Sequence, residues 1–153
     1  MCFNKYRRGF IEKLIDMGAN ISFSNKRNIY GEDIVDISVK YSPNLIGIKI
    51  NKEDISSIID EIPILCVIAA YAKGRTVIEG VGELKIKESN RVKAILVNID
   101  NMGGMAELIR DNLIITPKNN PKKVAKITIN FRLGECTCRI LRFVRDQSYQ
   151  FPL

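Results

Sequence analysis

Two clusters of charged side chains in this sequence could handle protons beside a small anion. In Ile59-Asp60-Glu61-Ile62-Pro63, two carboxylates stand directly ahead of an apolar run. In Glu83-Leu84-Lys85-Ile86-Lys87-Glu88-Ser89-Asn90-Arg91, a carboxylate sits among cations where a strand ends and a helix opens. Carboxylates can take or deliver a proton in a transition state. The N–H groups at a helix start, with Lys87 and Arg91 beside them, gather an anion, and Glu88 stands next to it to move a proton. Each cluster also has a plainer reading. Asp60 and Glu61 suit an N-cap and first turn, where the helix dipole favours negative charge. Ser89 or Asn90 could cap the next helix, leaving Lys87, Glu88 and Arg91 as solvated charges. Gly80-Val81-Gly82 precedes the second cluster, but two glycines without a third make a poor dinucleotide fingerprint.

Missing residue types narrow the chemistry. The chain has no His and no Trp. Catalysis by Ser-His-Asp or Cys-His is therefore excluded, as are zinc sites built on His. Proton transfer near neutral pH falls to carboxylates, Lys, Tyr or Cys. The four cysteines, Cys2, Cys66, Cys136 and Cys138, match neither a C-x-x-C pair nor a zinc ribbon. Cys66 lies in the apolar run Ile64 to Ile68 and reads as a small buried thiol in a protein of the reducing cytoplasm. No run approaches the ~20 apolar residues of a membrane span, and Met1 to Gly9 lacks the apolar stretch of a signal peptide, so the expectation is a soluble protein.

The elements that must position these clusters follow from periodicity. Phe10, Ile11, Leu14, Ile15 and Met17 predict an amphipathic helix, with Gly18 at its left-handed C-terminal cap. Asn20 to Ser24 predicts a short strand, Asn25 to Glu32 a polar turn, and Val35 to Val39 a second strand. Ile46, Ile48 and Ile50 alternate as a strand. Ile62 to Ala72 is apolar all round, a buried helix with Pro63 in its first turn. Thr76 to Ile78 is a strand, Val92 to Met102 a helix ended by Gly103-Gly104, and Met105 to Ile109 with Asn112 to Thr116 a hairpin about Arg110-Asp111. Both Met17-Gly18 and Met102-Gly103 close a helix before a strand. The fold class is therefore α/β (α+β), read as about one and a half copies of a stacked β-α-β-α-β-β unit.

The net charge of +7 is unevenly placed. Residues 7–118 hold 16 Lys+Arg and 15 Asp+Glu, whereas residues 119–153 hold 7 and 2. The basicity belongs to a tail without clean periodicity, apart from a single candidate strand over Ala125 to Phe131. Arg139, Arg142 and Arg145 fall at helical spacing there, but a solvated tail explains them better than a nucleic-acid interface.

Taken in order, the motifs resemble the C-terminal half of the 3-phosphoshikimate 1-carboxyvinyltransferase (EPSP synthase) family. The resemblance runs over about residues 4–118. It is carried by Arg7-Arg8-Gly9-Phe10, Met17-Gly18-Ala19, Gly31 to Ile37 with Leu45 to Ile48, Ile59 to Leu65, and Glu83 to Arg91; Asp111 to Ile115 fits the hairpin that follows. It implies stacked units of the inside-out α/β barrel type, six in two domains. It also implies a cofactor-free reaction: the enolpyruvyl group of phosphoenolpyruvate moves to the 5-hydroxyl of shikimate 3-phosphate, and phosphate leaves. By position in the motifs, Asp60 would be the base near the substrate hydroxyls. Glu88 would exchange a proton with the methylene carbon, Arg91 would clamp phosphoenolpyruvate, and Lys87 would face the shikimate phosphate ligand. Asp60 would thus serve both as catalytic and as substrate-binding residue.

The family carries further anion-binding residues in its N-terminal domain and in a downstream Asp-His-Arg-Ile-Ala-Met motif, and this sequence contains neither. Two regions are therefore expected: a partial family domain over 1–118, and a basic tail over 119–153 that departs from it, through a change of reading frame or poor order. The expected partners are the two anionic substrates and a separately encoded N-terminal half. The chain alone is expected to have little or no transferase activity.

Overall fold

The computed structural model describes residues 8–82 and 91–117. The helix α1 spans Gly9–Asp16 and ends on Gly18, whose φ of +88° is the left-handed value a residue with a Cβ avoids. A long hairpin follows, β1 (Asn20–Ile29) against β2 (Glu32–Lys40), antiparallel and forming a two-stranded sheet among the described residues. After β3 (Lys49–Ile50) come a single 3₁₀ turn, Lys52–Asp54, and the short helix α2 (Ile55–Ile58). The buried helix α3 (Ile62–Tyr71), β4 (Thr76–Ile78), α4 (Arg91–Asn101), β5 (Met105–Ile109) and β6 (Asn112–Thr116) complete the order. The second sheet runs β3-β4-β6-β5, with β3 parallel to β4 and the remaining pairs antiparallel.

This is the expected α/β order from Ile46 onward, and the core explains it. The helix α3 is apolar all round because it is covered on more than one side, packing against β6 and α4 with Ile62, Leu65, Cys66, Val67, Ala69 and Ala70 buried. Ile50, Ile78, Leu113 and Ile115 meet it from the sheet, and Val92, Ile95 and Ile99 from α4. Side chains of this size contribute about 1.5–3 kcal/mol each when fully buried, so the four-stranded sheet with α3 and α4 is the stable centre of the fold.

The half-unit repeat is visible in the hydrogen bonds. At the end of α1, the N–H groups of Met17, Gly18 and Ala19 donate to the carbonyls of Lys13, Ile15 and Leu14. At the end of α4, those of Met102, Gly103 and Gly104 donate to Asn98, Asp100 and Ile99, the same pattern one unit later. Both methionines are buried, and both caps deliver the chain into the first strand of a hairpin.

Two expectations are corrected, and one short helix is new. The stretch Asn25 to Glu32 is not a polar turn: β1 continues to Ile29, and the turn is only Tyr30-Gly31. Its polar residues pair across the hairpin instead. Lys26 bridges Asp33 at 2.9 Å, Arg27 bridges Asp36 at 3.1 Å, and Asn25 absorbs a register shift with φ of +51°. The strand expected over Ile46 to Ile50 shrinks to Lys49–Ile50, with Ile46 held by an isolated parallel bridge to Lys73. Gly47 sits between them with its backbone pressed on Arg75. The helix α2 was not expected, because four residues are too few to show a period. The candidate strand Ala125 to Phe131 and the tail 119–153 lie outside the described residues. Among the described residues no helix is long and apolar enough to cross a membrane.

Candidate active site

The first cluster lies in the sharp connection between two helices. The helix α2 ends at Ile58 and α3 begins at Ile62, so Ile59, Asp60 and Glu61 form a turn whose flanking Ile58 and Ile62 are both fully buried. Those anchors fix the turn while leaving Asp60 in solvent, its side chain 62% exposed. The capping explanation fails here. The cap position of α3 is Glu61, and no side chain bonds to the helix start there. Pro63 in the first turn leaves one fewer N–H needing an acceptor.

The second cluster is met at its last residue, which opens α4. Arg91 is only 17% exposed along its side chain, and its Nη1 donates to Asp60 Oδ1 at 3.0 Å. Two of the four residues singled out from the sequence, 31 positions apart, are thus brought into direct contact by the packing of α3 against α4. The other two, Lys87 and Glu88, lie outside the described residues. Arg91 Nε is buried without a hydrogen-bond acceptor among the described residues. A guanidinium carries five donors, so the single Asp60 contact leaves others over, in a geometry suited to a planar acceptor such as a carboxylate or phosphate.

The approach to the second cluster was undervalued in the sequence. Gly80-Val81-Gly82 fails as a nucleotide fingerprint, yet it guides the chain from β4 toward residues 83–91. The Val81 N–H donates to the Asp111 carbonyl at 3.0 Å, and a Cβ at Gly82 would fall 2.8 Å from Asp111 Oδ1. The β5–β6 turn thus braces this segment, with the Asp111 carboxylate so close that a side chain at position 82 would make it shift. Its signal was present as Asp111 in the hairpin turn, but nothing in one sequence pairs it with Gly82.

Elsewhere the titratable groups serve the fold. The Cys66 thiol is fully buried, and burial pushes its pKa well up, so it is an inert core residue as expected. Burial alone would lower the Lys13 pKa, but its hydrogen bond to Asp54 and the charges of Asp54 and Asp16 outweigh that and raise it. The contact ties α1 to the 3₁₀ turn ahead of α2, with Lys13 Nζ 2.9 Å from Asp54 Oδ2. No group of three or more metal-ligating side chains is assembled among the described residues.

Comparison with known proteins gives a consistent result. The family model described as EPSP synthase (3-phosphoshikimate 1-carboxyvinyltransferase) matches residues 2–136, a span that runs past residue 118 into the basic tail. The 3-phosphoshikimate 1-carboxyvinyltransferase of Persephonella marina is 44% identical over 119 residues, which is 78% of this chain and 28% of that protein. That of Clostridium tetani is 48% identical over 112 residues, 73% of this chain and 25% of its relative. Among solved structures, an EPSP synthase from Acinetobacter baumannii superposes with a TM-score of 0.72 at 36% identity, over 83% of this chain and 28% of that one. The chain spans about a quarter of the length of the curated relatives it matches.

Proposed function

This chain belongs to the EPSP synthase family, and from that premise we propose that it carries one part of a 3-phosphoshikimate 1-carboxyvinyltransferase site, formed by Asp60, Lys87, Glu88 and Arg91. The reaction moves the enolpyruvyl group of phosphoenolpyruvate to the 5-hydroxyl of shikimate 3-phosphate. The hydroxyl loses a proton, the methylene carbon gains one, and the tetrahedral adduct then returns that proton and expels phosphate. Asp60 takes the hydroxyl proton and Glu88 exchanges the proton with the methylene carbon. Arg91 holds the phosphoenolpyruvate anion, and Lys87 faces the phosphate of the second substrate. Cation placement matters because both substrates are anionic and must be held against each other.

One observation supports this reading above the others: Arg91 and Asp60 meet at 3.0 Å although each sits in a different motif. A solvated cap at either position would not need the other. The remaining anion-binding groups come from outside this span, and a separately encoded N-terminal half is the partner we propose. We place the reaction in the cytoplasm, where a free thiol such as Cys66 stays reduced.

Part of a cleft binds without turning over. Each missing charge-assisted contact is worth about 1.5–3 kcal/mol, so losing several slows the reaction by orders of magnitude. Calorimetric titration of the full chain with shikimate 3-phosphate and with phosphoenolpyruvate, alongside a phosphate-release assay, tests both halves of the proposal. The expected result is measurable binding with no detectable release. Absence of binding for both ligands contradicts the substrate assignment, and rapid release contradicts the partial-site reading.

A further inference from the structure

We propose that the Arg91–Asp60 ion pair is a latch that an incoming anion opens, so that filling the anion site releases the base. Acting at the site proposed above, the latch depends on Arg91 being an anion-binding residue. The partners differ in a way that gives the exchange a direction. Arg91 is held: its side chain is largely buried at the first residue of α4, between elements fixed by the core. Asp60 is loose: its side chain is mostly in solvent, on a three-residue turn, and among the described residues it is held by one nitrogen of Arg91. A second carboxylate competing for Arg91 therefore displaces Asp60, not Arg91. The cost is small, because an ion pair with one well-solvated partner is weak. The incoming group can also use guanidinium donors that Asp60 leaves unfilled, through a bidentate fork that the single Nη1–Oδ1 contact does not make.

The displaced carboxylate does not travel far. Asp60 stays on its turn between Ile58 and Ile62, with the Oδ1 that had accepted from Arg91 Nη1 now open to another donor. The empty site thus keeps Asp60 occupied as a stand-in for the ligand's own carboxylate or phosphate. The filled site presents it as a base next to the bound anion. Binding and proton transfer become ordered by the exchange of one hydrogen bond.

The test is phosphoenolpyruvate binding by calorimetry to four forms of the full chain, each checked by circular dichroism for an intact fold: wild type, Asp60→Ala, Glu61→Ala and Arg91→Ala. Glu61→Ala removes an adjacent negative charge, and Glu61 makes no cap bond whose loss would confuse the result. The latch predicts that Asp60→Ala binds about two- to fivefold tighter, that Glu61→Ala stays near wild type, and that Arg91→Ala loses binding. Unchanged or weaker binding by Asp60→Ala overturns the latch while leaving the anion site standing. Equal tightening in Asp60→Ala and Glu61→Ala also overturns it, by reducing the effect to general repulsion. Wild-type affinity in Arg91→Ala overturns both the latch and the anion-binding role beneath it.

Discussion

Replacing Gly47 by Ala should disrupt the fold where the two halves of the site are tied together. A Cβ at this position would meet the Arg75 carbonyl oxygen and lie 2.6 Å from its carbonyl carbon and 2.8 Å from that of Gly74. All three are backbone atoms, so no rotamer change relieves the overlap. Restoring a contact of 3.4 Å to the Arg75 carbon moves the two segments apart by about 0.8 Å. The Gly47 N–H to Lys73 carbonyl bond, now 2.8 Å, and the Val77 N–H to Ile48 carbonyl bond, now 3.0 Å, then both stretch beyond hydrogen-bonding distance. The two lost backbone bonds at about 1 kcal/mol each, with overpacking of about 1–3 kcal/mol, give a destabilisation of roughly 3–5 kcal/mol. That is a large share of the ~5–15 kcal/mol that holds an ordinary domain together. Because β3 leads to the Asp60 turn and β4 leads toward Arg91, the same displacement should weaken the Asp60–Arg91 contact. Urea unfolding followed by circular dichroism measures the loss. Gly31→Ala is the reference, since nothing lies within 4 Å of its Cβ and only its φ of +84° is strained. If Gly47→Ala costs no more than Gly31→Ala, the close approach of β3 to β4 is not what positions these segments.

Other consequences follow from the core and the charges. Leu65→Ala, at a fully buried position of α3, should cost about 2–5 kcal/mol by leaving a cavity, readable as a lower urea midpoint at unchanged slope. Hydrogen bonds from Lys26 and Asn28 hold the Asp33 carboxyl below its usual pKa, and one from Asn25, helped by the Arg27 charge, does the same for Asp36. Carboxyls depressed in the folded state stabilise it above their unfolded pKa of about 4 and lose that contribution as pH falls through the folded value, so the β1–β2 hairpin should loosen first on acidification, seen as amide exchange confined to residues 20–40. The Cys66 thiol is shifted the other way by burial. Its contribution is complete below the unfolded pKa near 9 and declines above it by about 1.4 kcal/mol per pH unit, so alkaline unfolding should be milder in Cys66→Ala after allowance for its lost volume.

Most of the second unit could be read in the sequence because its elements are long or strongly patterned. The all-round apolar run of α3 announced burial, and the Met-Gly pair announced both the caps and the repeat. The site was legible in type and partly in geometry, since Asp60 and Arg91 were named from their motifs and then found in contact. What escaped reading was what depends on long-range partners. The residues Lys26, Arg27 and Asn28 look like turn residues until Asp33 and Asp36 are placed opposite them. The helix α2 is a single turn whose stability comes from the burial of Ile55 and Ile58, not from its own period. Gly47 is required by backbone, and Gly82 is approached by a side chain, from distant segments that one sequence does not pair.

The most direct measurement is turnover by a chimera in which the matched quarter of the Persephonella marina 3-phosphoshikimate 1-carboxyvinyltransferase, 44% identical to this chain, is replaced by the corresponding residues of this protein. Phosphate release should be retained, and it should fall by on the order of 100-fold or more when Asp60→Ala is introduced, with a comparable loss for Arg91→Ala. A folded chimera that releases no phosphate, or one whose turnover is indifferent to both substitutions, would contradict the assignment of this site.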